Sequence, residues 1–308
     1  MALYKTFSYS VEVQYKSRLL SKATLFTLST TLLTIILPFI VAYRSRGFWL
    51  KSSYFYEHPL VHTTYDYLLI AETDDPGVNI ICGDTSALDG DRAGDEENCV
   101  EVQIQEDDMN QDGKNDVLKF HAHLIVPKNR MISSIILILG IDFKICNVCP
   151  LQMQSLAVVT KEFNGQPNAF KSYGQLQIRQ MKHLSCLQNI LDTSYNSSLF
   201  NHEGYSTKNI VDFILEEYLR REVTTLVNPT YSRTQNGRTG TMDLNIILQI
   251  SEMEFRYTPS LLQELKWAWP QYLSLLLIIY WLFERIRKFV FSNRLLMAWE
   301  IIPWRKRD

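Results

Sequence analysis

The stretch LFTLSTTLLTIILPFIVAY occupies residues 25–43 without a charged side chain, and WAWPQYLSLLLIIYWLF occupies residues 267–283, also uncharged. A helix rises about 1.5 Å per residue and a bilayer core is about 30 Å thick, so roughly 17 to 25 residues can span it. Both stretches reach this length, the second narrowly. Neither shows the polar face of a helix in a soluble domain, which disfavours a pair of buried core helices. The two stretches therefore predict two transmembrane α-helices.

The first apolar stretch is not typical of a cleaved signal peptide. It starts after 24 residues, it is longer than the usual apolar region of such a peptide, and the residues that follow it form no small-x-small cleavage site. We therefore expect an uncleaved anchor.

The 308-residue chain has a net charge of −2, but this charge is divided unevenly. Residues 1–24 and 284–308 together carry a net charge of +7, whereas residues 44–266 carry −9. Positive residues concentrate on the cytoplasmic side of membrane proteins. We therefore expect a cytoplasmic N-terminal segment (1–24), an extracellular or lumenal domain (44–266) and a basic cytoplasmic tail (284–308), with both termini in the cytoplasm.

Two features of the middle segment agree with this topology. The sequon Asn196-Ser197-Ser198 lies there, as glycosylation of Asn196 requires. All five cysteines lie there too, where an oxidising compartment permits disulfides.

The middle segment has the hydrophobic patterns of strands. Apolar and polar residues alternate in residues 100–105, 118–124 and 244–250, although Ile247 interrupts the last alternation. The continuous apolar run 132–143 predicts a strand buried on both faces.

One helix and two loops complete the predicted domain. Ser206 or Thr207 is the predicted cap of the helix, and residues 74–95 and 237–240 are the predicted loops. The predicted fold class is a membrane protein whose two helices flank a β-rich, antiparallel sandwich-like (α+β) domain. The apolar residues at helical spacing are Ile210, Phe213, Ile214 and Leu219.

The cysteines predict structural bridges rather than redox chemistry. Cys82 and Cys99 flank the acidic loop, and a disulfide between them would close it. Cys146-x-x-Cys149 is open to interpretation as a redox pair or a local bridge, but nothing thioredoxin-like surrounds it. Because the count of five is odd, at least one thiol is free or forms an intermolecular bond.

One segment has the spacing of a calcium loop. Asp-x-Asn-x-Asp-Gly-x-x-Asp places oxygen donors at alternate positions around a glycine turn, and hard oxygen ligands suit Ca²⁺. Lys119 stands where an EF-hand has its glutamate, and strands rather than helices are predicted on both sides. The alternative is an acidic turn held by side-chain bonds to the backbone. The candidate ligands of a structural Ca²⁺ are Asp108, Asn110, Asp112, Lys114 and Asp116.

The rest of the sequence gives little indication of a metal site, a catalytic site or a nucleic-acid interface. His121 and His123 point to one face of a predicted strand, but no third metal ligand is evident. The chain has no catalytic signature and no nucleic-acid module, so we predict neither an enzyme nor a nucleic-acid or small-molecule binding protein. Beyond the second span, Arg285, Arg287 and Lys288 alternate with apolar residues and are predicted to lie among lipid headgroups.

The two ends of the chain resemble the transmembrane protein 231 family. The resemblance rests on Met1-Ala2-Leu3-Tyr4, Ser21-Lys22-Ala23, residues 44–51 (RSRGFWLK), residues 110–114 (NQDGK), Leu184-Ser185-Cys186 and residues 281–286 (WLFERI). These matches follow the same order across nearly the whole chain, and they are loose at 72–100, at 225–245 and over the last dozen residues.

The resemblance implies a membrane scaffold of the ciliary transition zone. Its implied partners are tectonic proteins, B9-domain proteins and meckelin, in the complex that controls entry of membrane proteins into the cilium. Two other classes share a two-span design with a large outer domain. One is a subunit of an ion channel, although neither span offers an acidic pore residue. The other is an accessory chaperone of a multi-span membrane protein.

Overall fold

The computed structural model describes residues 14–19, 21–45, 48–75, 79–83, 99–127, 130–186, 190–200, 210–237 and 240–301. In chain order, these residues form β1 (Gln14–Lys16), α1 (Lys22–Arg44), β2 (Ser53–Glu57), β3 (Leu60–Thr73), β4 (Ile80–Gly83), β5 (Cys99–Asp107), β6 (Val117–Ile125), β7 (Ile132–Ile145), β8 (Leu151–Glu162), β9 (Pro167–Gln180), β10 (Leu184–Ser185), α2 (Ile210–Arg220), β11 (Val223–Asn236), β12 (Thr241–Ile250), β13 (Met253–Thr258), α3 (Leu261–Ser292) and β14 (Trp299–Ile301).

The chain divides into two units, and Ser52–Thr258 is a β-sandwich. A five-stranded sheet in the order β11-β9-β12-β6-β5 faces a four-stranded sheet in the order β4-β3-β7-β8. Alternation decides which side chains fill the space between them. In β6, for example, Leu118, Phe120, Ala122 and Leu124 are buried while the residues between them point outward. A third sheet, β10-β13-β2, contributes Phe255 and Tyr257 to the same core.

Strand β7 confirms the predicted buried strand, and its surroundings explain why it is apolar on both faces. Leu137, Leu139 and Ile141 point into the sandwich core. Ile138 points the other way, into a second apolar cluster that includes Ile214 of α2. The domain is therefore three layers deep at β7, with α2 lying on the outer face of the four-stranded sheet.

Helix α2 departs from the predicted pattern in one position. Ile210, Ile214 and Tyr218 are buried at four-residue spacing, whereas Leu219, predicted to be buried, has 51% of its surface exposed. The tyrosine ring takes the apolar position because its hydroxyl finds buried partners in β8 and β11. The predicted capping residues Ser206 and Thr207 lie outside the described residues.

The sandwich is not wholly antiparallel, which corrects the sequence prediction. Strand β12 pairs with β6 antiparallel but with β9 parallel, and β10 pairs with β13 parallel. The predicted loop 74–95 is also wrong in part, since β4 within it pairs with the C-terminal part of β3. Alternation in a single strand contains no information about the direction of its neighbour, so the sequence could not reveal the parallel pair.

The second unit comprises the described parts of Met1–Lys51 and Pro259–Asp308. Within it, α1 packs against α3, and the Tyr272 hydroxyl donates to the Ile35 carbonyl at 3.3 Å. The buried positions of α1 are small or narrow, and its large aliphatic side chains point outward, as in membrane helices that associate through small residues. The buried positions are Ala23, Thr30, Thr34, Pro38 and Ala42.

Helix α1 extends the predicted span 25–43 by three residues at its start and by one at its end. Among the described residues, it is the one helix that is long and apolar enough to cross a membrane, and 22% of its most apolar window is buried. Helix α3 contains the predicted second span, 267–283, but continues to Ser292. The helix therefore continues past residue 284, where the predicted cytoplasmic tail begins, and both the second span and the tail stay predictions.

Candidate functional site

The loop between β5 and β6, residues 108–116, is held by hydrogen bonds to its own side chains. The two carboxylate oxygens of Asp108 accept from the backbone N–H of Gln111 at 2.7 Å and of Gly113 at 2.9 Å. Gly113 has a φ of +82°, in the left-handed region that favours glycine. The loop is thus a tight hairpin turn between two strands.

The structure brings the predicted calcium ligands together in this loop but engages their oxygens with the backbone. Asn110 Oδ1 accepts from the Asp112 N–H at 2.9 Å, and Asp112 Oδ1 accepts from the Lys114 N–H at 2.8 Å. Within the described part of the chain, no three His, Cys, Asp or Glu side chains are placed to hold a metal ion. This geometry fits the acidic-turn interpretation, and Ca²⁺ binding stays a prediction.

The far side of the loop joins the two sheets of the sandwich. Lys114 Nζ donates to the His58 carbonyl at 2.7 Å, and Asn115 Nδ2 donates to the Val61 carbonyl at 2.8 Å. His58 and Val61 lie just before and within β3, which belongs to the four-stranded sheet. Both contacts depend on the hairpin turn, so the turn positions the start of β3.

A partly buried carboxylate completes this junction. Glu106 Oε1 accepts from the Thr63 backbone N–H at 2.6 Å and from the Thr63 hydroxyl at 2.7 Å. Its Oε2 lies 2.5 Å from Asn115 Nδ2 and 3.0 Å from His62 Nδ1. Burial raises the pKa of Glu106, but the donors from Thr63, His62 and Asn115 outweigh it, so the pKa lies below its ordinary value.

The sequon lies on a segment held by a buried arginine. The Asn196 side chain is exposed. Arg221 has 7% of its surface exposed and donates to the carbonyls of Gln154 at 2.7 Å, Tyr195 at 3.1 Å and Ser197 at 3.2 Å. Burial lowers the pKa of this guanidinium, with partial compensation from Glu217. The acceptor Asn196 is thus presented on a fixed turn.

The cysteines form two disulfides. The structure joins Cys82 to Cys99, whose Cα atoms are 6.1 Å apart, and Cys149 to Cys186, whose Cα atoms are 4.9 Å apart. Cys146 is the free and exposed thiol of the described residues. Cys146 and Cys149 are therefore not a redox pair or a local bridge, because Cys149 is bonded to a residue 37 positions away.

The remaining predicted site residues lie away from the junction between the 108–116 loop and β3. His121 and His123 share the outer face of β6, and His123 Nδ1 lies 2.5 Å from Asp243 Oδ1, which accounts for that ring without a metal. Arg285 lies within α3, with its guanidinium over the Trp281 ring at 5.7 Å to the centroid. Arg287 and Lys288 lie in the same helix.

Sequence reasoning missed Glu106 and Arg221 as organising residues. Both act through partners that are distant along the chain, 43 positions for Thr63 and 67 positions for Gln154. The sequence shows only that each is a charged residue at the end of a predicted strand or helix. Many ordinary exposed residues have the same position, so this feature does not single them out.

Together these features define a class, the membrane-anchored proteins with a disulfide-bonded β-sandwich domain. A family model described as "Transmembrane protein 231" matches residues 1–300. The chain belongs to this family, and the description names no catalytic activity.

Curated relatives support the assignment along the whole chain. Transmembrane protein 231 of Xenopus tropicalis is 35% identical over 299 residues, which is 96% of this chain and 95% of that protein. Transmembrane protein 231 of Homo sapiens is 35% identical over 297 residues, covering 96% and 93%. The Gallus gallus protein of the same name is 31% identical over 313 residues, covering 98% and 95%.

Among solved structures, a cryo-EM structure of a proton-activated chloride channel aligns with 87% of this chain and 97% of the channel chain. The identity is 6% and the TM-score is 0.28. At this score the alignment carries no statement about fold or function.

Proposed function

We propose that this chain is a non-enzymatic scaffold in the membrane of the ciliary transition zone. It acts there within a complex that forms a diffusion barrier and controls the protein composition of the ciliary membrane and ciliogenesis. The partners proposed are tectonic proteins, B9-domain proteins and meckelin, together with membrane lipids. The observation that carries the proposal is membership of the transmembrane protein 231 family over residues 1–300.

The proposed topology places the sandwich outside the cytoplasm and both termini inside it. Helix α1 supports the first crossing, since its large aliphatic side chains are exposed and its buried stripe is made of small residues. The Cys82–Cys99 and Cys149–Cys186 disulfides support an oxidising compartment for the sandwich. The exposed Asn196 is accessible there to the glycosylation machinery.

The proposal is tested by super-resolution imaging of a functional tagged copy in ciliated cells, with markers of the basal body and axoneme. We expect a ring confined to the ciliary base. A diffuse signal in the endoplasmic reticulum or plasma membrane contradicts the proposal and favours the accessory chaperone or the channel subunit.

Removal of the protein separates these alternatives. A scaffold of the barrier predicts normal exit of partner membrane proteins from the endoplasmic reticulum together with a ciliary membrane that admits foreign proteins. A chaperone predicts retention of its partner in the endoplasmic reticulum. A channel subunit predicts an ion current from the reconstituted chain.

A further inference from the structure

The segments that precede α1 and follow α3 meet in a small sheet. Strand β1 pairs antiparallel with β14, with Tyr15 opposite Glu300 and Lys16 opposite Trp299. The Tyr15 ring stacks on the Phe291 ring at a centroid distance of 5.3 Å. These contacts join the two helices at the end where α1 begins and α3 stops, and they border an open cavity of about 610 Å³.

The turn that follows α3 places its residues along this cavity. Asn293 caps the helix, and its N–H makes a last helical hydrogen bond to the Phe289 carbonyl at 3.1 Å. Arg294 then adopts a φ of +52°, the left-handed conformation that commonly follows a helix end. The chain turns back there, so Arg294 and Trp299 both line the cavity.

The cavity is cationic. Lys16, Arg18 and Arg294 line it, and the described lining residues include no acidic side chain. The side chains of Lys16 and Arg18 form no ion pair within the described part of the chain. An anion entering the cavity would therefore meet the basic side chains of Lys16 and Arg18.

The surroundings favour a lipid over a soluble anion. Large apolar side chains are exposed at the same helix ends, with 97% of the surface of Met297 and 69% of that of Trp299 accessible. Leu19 is 90% exposed on the other segment. Basic residues mixed with tryptophan and tyrosine at the end of an apolar helix are typical of the headgroup layer of a bilayer.

We propose that this cavity binds the headgroup of an anionic phospholipid in the cytoplasmic leaflet. Lys16 and Arg18 neutralise its phosphates, while Tyr15, Phe291 and Trp299 contact the glycerol and the first methylenes. Its volume lies within the range of ordinary ligand sites. The site differs from the basic residues of α3 predicted from sequence, because none of those lines it. The proposal rests on the topology proposed above, but not on residence in the transition zone.

The full-length chain, purified in neutral detergent, is titrated with dioctanoyl phosphatidylinositol 4,5-bisphosphate and with dioctanoyl phosphatidylcholine. We expect binding of the first and not of the second. Each basic residue near anionic lipid contributes about 1 kcal/mol, so Lys16→Gln/Arg18→Gln should weaken binding about 30-fold. Arg44→Gln/Lys51→Gln removes the same charge at the other end of α1 and should leave the affinity unchanged.

Three outcomes overturn the proposal. They are equal binding of the two lipids, equal loss in the two double variants, and binding of free inositol 1,4,5-trisphosphate as tight as that of the lipid. The last outcome would identify a site for a soluble anion.

A crosslinking experiment tests the site on the unaltered chain. A photoactivatable phosphatidylinositol 4,5-bisphosphate is bound to the unaltered chain, and the crosslinked peptides are identified by mass spectrometry. We expect crosslinks in residues 14–19 and 294–299, whereas crosslinks confined to the outer faces of α1 and α3 overturn the proposal. Because the chain is purified, this result does not depend on where the protein resides in the cell.

Discussion

The carboxylate of Glu106 shows how one partly buried charge can hold two sheets together. It belongs to β5, yet three of its four closest donor atoms lie on Thr63 and His62 of β3. When a carboxylate accepts several hydrogen bonds, their free energy offsets the cost of removing it from water. A carboxylate without donors has no such compensation. The junction between the hairpin and β3 should therefore weaken as this carboxylate becomes protonated.

We expect Glu106→Gln to lower the free energy of unfolding by about 1–2 kcal/mol at neutral pH, because charge-assisted hydrogen bonds are lost. The pKa of Glu106 is depressed in the folded chain. Its contribution is therefore present above the ordinary glutamate pKa of about 4.3 and is lost as the pH falls through the lower, folded value. Urea unfolding of the full-length chain, followed by far-UV circular dichroism at several pH values, measures both effects.

Glu101→Gln provides the matched control for this prediction. Glu101 lies on the same strand, and its exposed side chain accepts from Gln103 at 2.6 Å. Its substitution should leave stability and its pH dependence nearly unchanged. Equal effects of the two substitutions would show that Glu106 stabilises the fold no more than an exposed glutamate of the same strand does.

Asp112 tests the calcium prediction. If Ca²⁺ binds the loop, it raises the melting temperature of the parent chain, and Asp112→Ala abolishes that rise because it removes the central carboxylate. In chelator the same substitution lowers the melting temperature by a smaller, calcium-independent amount, since the Lys114 N–H loses its acceptor. A parent chain whose melting temperature is the same in calcium and in chelator contradicts the prediction.

Strand β3 has a bulge where it pairs with β7, and the close packing there requires a glycine in β7. Its register against β7 shifts between Thr63 and Tyr67, and Tyr65 within the shift has a φ of +64°. The bulge lies against Gly140, whose added Cβ would overlap the Thr64 hydroxyl and lie 3.2 Å from the Asp66 carbonyl oxygen. A bulge of this kind redirects a strand, and here the neighbouring backbone must be free of a side chain.

We expect Gly140→Ala to destabilise the sandwich by about 1–3 kcal/mol through overpacking. The double variant Gly140→Ala/Thr64→Ala removes the closest overlapping atom and should recover part of the loss, while contacts with Asp66 and Phe200 remain. Thermal unfolding of the parent, both single variants and the double variant gives the coupling between the two positions. Additive effects of the two substitutions would contradict the steric explanation.

Across the molecule, the proposed topology makes a prediction at Asn196. If the sandwich is lumenal during synthesis, the exposed Asn196 acquires a glycan. Treatment of the cell-expressed chain with an N-glycosidase should then increase its electrophoretic mobility, and Asn196→Gln should abolish the shift.

Ser197→Ala is the control for this experiment, since it changes the middle residue of the sequon and leaves the acceptor motif intact. It should retain the mobility shift. A parent chain without any shift would contradict the lumenal placement, because Asn196 lies exposed on a turn held by Arg221.

Much of the candidate site could be predicted from the sequence, because it is formed by residues that are close together along the chain. The turn at residues 108–116 follows from the spacing of Asp, Asn and Gly, and its hydrogen bonds join residues two to seven positions apart. Its docking on His58 and Val61 was not predictable, because those contacts join residues 56 and 54 positions apart.

The amino-acid sequence by itself determined the apolar helix, the strands with alternating residues and the uneven charge, because hydrophobic period and charge are properties of neighbouring residues. Only the tertiary structure decided that β9 and β12 run parallel, that Cys149 pairs with Cys186, and that Lys16, Arg18 and Arg294 share one cavity. Each of these depends on which distant segments meet. Which segments meet depends on the packing of the whole chain. The sequence of one segment does not show which distant segment it will contact.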